Sequence, residues 1–437
     1  MSPERTNSAL EEELGMVYYS TCGRGTGGLL RQRAEDFVVE EITKEGVITN
    51  AEPGTVKRGE GHYTLAVLTK TSRDLLPTLN AIGKSLKAQV GFAGIKDRRA
   101  VTSQLISLDR PLTQEDMPQD LKNVRLRVVG TSRWGIMPGE LRGNRFSITI
   151  RGLHGVGNGD LDVPAWLPGY FGHQRFGTTR PNTHKVGRRL VKGDFEGAAR
   201  EFLAEPYKDE PLQIRSARLQ LLNDWDLERS YKDFPFSLIY ERAVMKKLLS
   251  NPFDCAGAML SLPKSLLRLF VNAYQSYLFN HALSWRWAHR GLTEVMESDY
   301  VAPLDRWGSP SRPIRTDGSN LGALRRMVSN QRAVPMLPVL GTKTRLVGAN
   351  LEAYDEILES EGISQSDLGR VPGMPFLGTM RFAIFRAISY SVEGPQADEL
   401  NIGKDKAVVI TSLPRSCYAT VLLREIMRPR EPFAAGF

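Results

Sequence analysis

Residues 143–151 read Gly-Asn-Arg-Phe-Ser-Ile-Thr-Ile-Arg. Apolar Phe146, Ile148 and Ile150 alternate there with Ser147, Thr149 and Arg151, a period of two that sends one row of side chains to each face of a strand. One row is apolar and the other polar, so the strand is expected to be half-buried. The alternation recurs upstream. Tyr63, Leu65 and Val67 repeat within residues 62–71, and Val124, Leu126 and Val128 alternate with Arg125 and Arg127. Residues 36–42, Asp-Phe-Val-Val-Glu-Glu-Ile, are rich in β-formers and add another strand. Together these segments predict an antiparallel sheet with one wet face.

Between the strands, Leu75, Leu79, Ile82 and Leu86 fall at helical spacing and predict an amphipathic helix over residues 73–87. It ends shortly before Gly94-Ile95-Lys96-Asp97-Arg98-Arg99-Ala100-Val101, where one carboxylate lies between a lysine and two arginines. Asp97 is therefore expected on a loop or strand end beside the sheet, a common place for functional groups. Cations around a carboxylate favour its charged form and attract a polyanion. Taken alone, the cluster is more simply a surface ion-pair group, since charge runs are usually solvated faces.

Downstream, the glycine-rich stretch 152–159 and then Pro164 and Pro168 mark a boundary. Leu267, Phe270, Ala273, Tyr274, Tyr277, Leu278 and His281 recur at spacings of three and four, predicting a core-facing helix within residues 264–281. The middle of the chain is helix-rich to about Pro375. Strand patterns return at 379–390 and 406–413, followed by a helix at 417–427. Strands at both ends around a helical middle predict a discontinuous β-rich domain interrupted by an inserted one.

With 437 residues, two or three domains are expected. Hydrophobic residues make up 41% and charged residues 24%, enough for a core that needs no metal or disulfide staple. Lys and Arg outnumber Asp and Glu by 58 to 49, and the resulting +9 suits a nucleic-acid partner without requiring one. Cys22, Cys255 and Cys417 are far apart and odd in number, and neither Cys-x-x-Cys nor His-Glu-x-x-His occurs. No disulfide framework or zinc site is expected. The start, Met1-Ser2-Pro3-Glu4-Arg5, leads to Glu11-Glu12-Glu13 rather than an apolar core, unlike a signal peptide. No apolar run approaches the roughly 20 residues of a membrane helix. A soluble cytoplasmic protein is expected, and nothing demands more than a monomer.

Gly23-Arg24-Gly25-Thr26-Gly27-Gly28 is a formal G-x-G-x-x-G, which would make the chain a nucleotide-dependent enzyme. That fingerprint needs a helix directly after it and a βαβ context. Here a strand pattern follows within a few residues, so a flexible loop is expected. The six histidines form no i, i+4 pair. In Tyr170-Phe171-Gly172-His173-Gln174-Arg175-Phe176-Gly177 the aromatics can stack on bases beside a phosphate-binding arginine, or pack inward at a domain junction. Asn144 offers a donor and an acceptor to a base edge, and Phe146 a stacking face. Phe146 also shares the row of Ile148 and Ile150, as a core residue would.

Taken together, the chain resembles the TruD family of tRNA pseudouridine synthases. The resemblance rests on Asp36-Phe37-x-Val39-x-Glu41, residues 94–104 (GIKDRRAVTSQ), GNRF at 143–146, YFGHQRFG at 170–177 and PRSCYAT at 414–420. Gly169 stands where relatives usually have asparagine, and Ser416-Cys417-Tyr418 where many have Gly-Ser-Phe or Gly-Ser-Tyr. The resemblance implies an α+β fold: a pseudouridine-synthase catalytic core with a mixed, mainly antiparallel sheet, formed by residues 1–164 and 379–437. An inserted helix-rich α/β TRUD domain at 165–378 interrupts it. It further implies an isomerase without cofactor or metal, acting on a tRNA uridine, typically U13 of the D-arm. Asp97 is then the catalytic aspartate, and Phe37, Asn144, Phe146 and Tyr418 line the uridine pocket. Lys96 and Arg415 are candidate cationic partners of Asp97. The rival of another class is an RNA-binding protein that keeps the fold without catalysis.

Overall fold

The computed structural model describes residues 3–49, 56 and 58–437. Met1 and Ser2, which open the signal-peptide reading, lie outside them. The first third of the chain forms β1 (Phe37–Thr43), β2 (Tyr63–Thr71), α1 (Leu75–Leu86), β3 (Val90–Phe92), β4 (Val101–Leu108), β5 (Val124–Ser132) and β6 (Leu141–Leu153). The middle contains α2 (Thr183–Lys192), the long α3 (Lys264–Arg290), β7 (Tyr300–Pro303), β8 (Ala333–Val339) and β9 (Thr379–Phe382) among shorter helices. The chain ends with β10 (Ser389–Ala397), β11 (Asp405–Pro414) and α4 (Ala419–Met427).

Among the described residues eight strands share one sheet in the order β10-β11-β6-β1-β4-β2-β5, with β3 paired to β4 off that path. The pairing of β1 with β4 is parallel, and the others are antiparallel. The fold is thus α+β with a mixed, mainly antiparallel sheet. β6 is the hinge of the arrangement, flanked by β1 from the start of the chain and β11 from its end. The register sets Phe146 between Val39 and Thr411, and Asn144 between Glu41 and Leu413.

Two expectations need correction. The wet face is missing from β2 and β4. α1 packs Leu75, Leu79 and Ile82 onto Ala66, Leu68 and Ile106, while Leu65, Val67 and Leu105 face Val56, Ala93 and Ile136 on the other side. Leu65-Ala66-Val67-Leu68 is apolar throughout, so the strand can bury both faces, and Tyr63, Leu65 and Val67 make up only one of them. Residues 379–390 are also not one strand. β9 joins β8, β7 and Ile314–Arg315 in a separate four-stranded sheet, Ile384–Phe385 pairs with Leu167–Pro168, and β10 begins at Ser389. The chain passes through three sheets, changing twice, within a run that reads as one strand.

α3 runs 27 residues, beyond the expected end at 281, and stops at Gly291 with φ +77°. Its Phe279 and Leu283 pack toward the core of the large sheet, while Leu267, Phe270, Tyr274 and Leu278 pack into the helical core around α2. The glycine-rich segment 23–28 serves α4. Thr26 N and Gly27 N donate to Ile426 O (2.9 Å) and Met427 O (3.1 Å), carbonyls of the helix's last turn. A Cβ on Gly25 would lie 2.7 Å from Met427 O, so glycine allows that approach. The segment leads to a strand and its amides cap a helix; it does not form a dinucleotide fingerprint.

Candidate active site

Residues two apart on a strand share a face, so Phe37 and Val39 on β1 meet Asn144 and Phe146 on β6 above the same side of the sheet. The loop from β3 to β4 carries Ile95, Lys96 and Asp97 across that face. Cys417, Tyr418 and Ala419 at the start of α4 form the opposite wall, and Gln174 adds a third side. The cavity they line has a volume of about 170 Å³. Phe37, Lys96, Asp97, Asn144, Phe146 and Tyr418 all line it. Arg415 does not; it is exposed and its Nη1 donates to Gly139 O at 3.3 Å.

The Asp97 side chain is 41% exposed, and its Oδ2 accepts from Arg31 Nη2 at 3.0 Å. The expected partners lie elsewhere. Lys96 is buried with its Nζ 2.7 Å from Glu41 Oε2, and Glu41 Oε1 accepts from Leu105 N at 3.3 Å. Adjacency in sequence does not make the pair, because the Lys96 ammonium is taken up by Glu41. Lys96 instead pins the loop to β1. Lys70 pins it again, its Nζ donating to the Asp97 carbonyl at 2.8 Å. Burial pushes the Lys70 ammonium down to about 8, against the opposing pull of Asp97.

Arg31 is buried, has φ +56° and lays its guanidinium 3.8 Å from the centre of the Phe37 ring. Left-handed backbone is uncommon for a residue with a Cβ. One face of Phe37 is therefore occupied, and its ring meets Phe146 edge-on at 6.3 Å. Asn144 Oδ1 is buried and has no hydrogen-bond partner among the described residues. Buried acceptors are normally satisfied, so this oxygen marks a place for a ligand donor.

Tyr418 is half-buried and precedes the first turn of α4. Behind it Arg381, wholly buried, donates to Gly169 O (2.7 Å), Tyr170 O (3.0 Å) and Ser416 O (3.0 Å), and faces the rings of Phe171 and Tyr418. One guanidinium thus ties the segment 169–171 to the turn that presents Tyr418. Burial raises the Cys417 thiol well above its usual value. Within residues 170–177, Tyr170, His173 and Phe176 are buried, so inward packing describes them. Gln174 reaches the cavity wall, where its Oε1 accepts from Thr420 Oγ1 at 3.1 Å. No cluster of three His, Cys, Asp or Glu side chains suited to a metal occurs among the described residues.

Residues 13–426 match the family model described as tRNA pseudouridine synthase D (TruD). The chain belongs to the TruD family. A Methanosarcina barkeri relative named "Probable tRNA pseudouridine synthase D" is 37% identical, over 96% of this chain and 97% of its own. One of the same name from Pyrobaculum islandicum is 33% identical over 98% of both chains. The crystal structure of a TruD chain from Methanosarcina mazei superposes with a TM-score of 0.74 at 33% identity, covering 96% of this chain and 98% of that one. TruD membership implies isomerase activity on tRNA. Among the described residues no helix is long and apolar enough to cross a membrane.

Reasoning from sequence missed Arg31, Lys70 and Arg381. Arg31 is one of 58 lysines and arginines, and nothing local to it marks the contact with Asp97. Lys70 has a faint signal, a lysine in an otherwise apolar or hydroxyl-bearing strand.

Proposed function

We propose that this chain converts a tRNA uridine, U13 of the D-arm, to pseudouridine without a cofactor, with Asp97 as the catalytic carboxylate. The observation that carries the reading is the meeting of Asp97, Asn144, Phe146 and Tyr418, from three distant segments, around one cavity with an unpartnered acceptor. The reaction breaks N1–C1′, turns the uracil and joins C5 to C1′, with the C5 proton lost and N1 protonated. Product and substrate are isomers, so no outside atoms or electrons enter.

The target base must leave its stack, at a cost of a few kcal/mol. Phe146 and Tyr418 flank the cavity and offset part of this, since base–aromatic stacking contributes roughly 1–3 kcal/mol per base. Phe37 supports the guanidinium of Arg31, and Asn144 Oδ1 accepts the uracil N3–H. Asp97 then acts on the sugar, either attacking C1′ or removing the 2′ proton; both start from the same ionised carboxylate beside Arg31. In this reading residues 1–164 and 379–437 form the catalytic unit and 165–378 the inserted one, which is supported by a large sheet drawing strands from both chain ends. The enzyme works in the cytoplasm, where tRNA is its substrate.

Asp97→Asn keeps the shape of the side chain and removes the negative charge. The variant should melt as the parent does and bind tRNA with the same affinity while forming no pseudouridine. Normal turnover by folded Asp97→Asn would overturn the assignment and favour the non-catalytic RNA-binding reading. Mapping pseudouridine in tRNA from cells with and without the protein tests the position.

A further inference from the structure

We infer that the segment after α4, Pro432–Phe437, is a positioning element for the catalytic site, acting on Asp97 through Arg31. The inference rests on the reading of Asp97 given above. Arg31 Nη1 donates to Gly436 O at 2.6 Å, while Nη2 of the same guanidinium donates to Asp97 at 3.0 Å. Arg31 Nε is buried without a partner among the described residues. The planar group is thus held by the Gly436 carbonyl on one side and offers its remaining arm to the carboxylate on the other. Because the fork is rigid, fixing one arm fixes the direction of the other.

The segment is built to deliver that carbonyl. Ala435 N, Gly436 N and Phe437 N donate to Glu431 O, Phe433 O and Pro432 O, folding it into a tight turn. Leu30 N donates to Ala435 O at 2.8 Å, which registers the turn directly against the residue before Arg31. Gly436 has φ +92°, and a Cβ there would lie 2.3 Å from Leu30 O. Glycine is therefore required both for the turn and for the approach. The Phe437 ring is buried and sits edge-on to His173 at 5.3 Å, anchoring the turn in the core. Neither Gly436 nor Phe437 lines the cavity, so the segment shapes the site without touching a substrate.

Gly436→Ala pushes the turn off Leu30 and takes the carbonyl from Arg31. The full-length variant should bind tRNA with unchanged affinity and KM while kcat for pseudouridine formation falls about 10- to 100-fold, as expected for a misplaced reacting group. The sharper test is a double-variant cycle with Arg31→Lys, whose single ammonium cannot hold both partners in one plane. If the segment acts through Arg31, Gly436→Ala added to Arg31→Lys lowers kcat no further. Multiplying effects, or a Gly436→Ala protein with the parent kcat, would overturn the inference. Phe437→Ala, which loosens the anchor without a clash, serves if Gly436→Ala does not fold, with the same expected cycle and the same contrary result. Asp97→Asn assayed alongside separates the failures. Turnover by that variant removes the reading of Asp97 itself, whereas an inactive Asp97→Asn beside a fully active Gly436→Ala removes only the role of the segment.

Discussion

Asn144 and Phe146 stand two residues apart on β6, yet their removal should be felt in opposite ways. Asn144 Oδ1 is buried without a partner, a state that costs about 1–3 kcal/mol. Asn144→Ala should therefore leave the melting temperature unchanged or raised while kcat/KM for tRNA falls about tenfold, the equivalent of one lost hydrogen bond. Phe146→Ala empties a well-packed position and should cost about 3–5 kcal/mol of stability as well as activity. Thermal melts paired with turnover distinguish the two. Lys70 gives a pH signature. Its ammonium is lowered to about 8 in the folded chain and titrates near 10.5 when unfolded. Between those values the unfolded chain binds more protons, so stability should rise with pH by at most about 1.4 kcal/mol per pH unit. The penalty is fully present below pH 8. Urea midpoints for Lys70→Met, compared with the parent from pH 7.5 to 10.5, should lack that rise. At this scale Asn144 and Phe146 were legible as candidates because strand periodicity puts both on one face. Arg31 was not, because an ion pair between residues 31 and 97 leaves no local pattern.

Elements meet through close backbone approaches at glycines beside the site. A Cβ on Gly143 would lie 2.1 Å from Leu413 O, so β6 and β11 approach fully only with glycine next to Asn144. Gly143→Ala should destabilise the protein by about 1–3 kcal/mol and shift Asn144, lowering both melting temperature and kcat. The glycines of residues 23–28 perform a similar service for α4, and Gly25→Ala should lower the melting temperature, while nicotinamide or flavin nucleotides should leave the parent's melting temperature unmoved. Elements with a clean single period were legible in the sequence: α1, β5, β6, β11 and α4 lie within a few residues of their expected places. The errors fell where one run of strand-forming residues serves more than one partner. Residues 65–68 bury both faces of β2, and residues 379–390 cross between sheets, and in neither case does local period report how many surfaces the segment touches.

Over the whole molecule the +9 charge predicts how tRNA is held. If phosphate contacts dominate, log affinity should fall linearly with log salt concentration, with a slope of about −0.7 to −0.9 per contact. A flat dependence in a filter-binding titration would contradict phosphate-driven binding. The junction of β6 with β11 also has a consequence for synthesis. β6 ends at Leu153 and its second neighbour begins at Asp405, so one edge of β6 waits unpaired while the intervening chain is made. At roughly 5–20 residues per second that interval is about 10–50 s. An open strand edge is a template for wrong pairing. The unfinished sheet therefore leaves the ribosome well ahead of β11, α4 and the Arg31-holding turn, and the cavity can close only once those three have followed it.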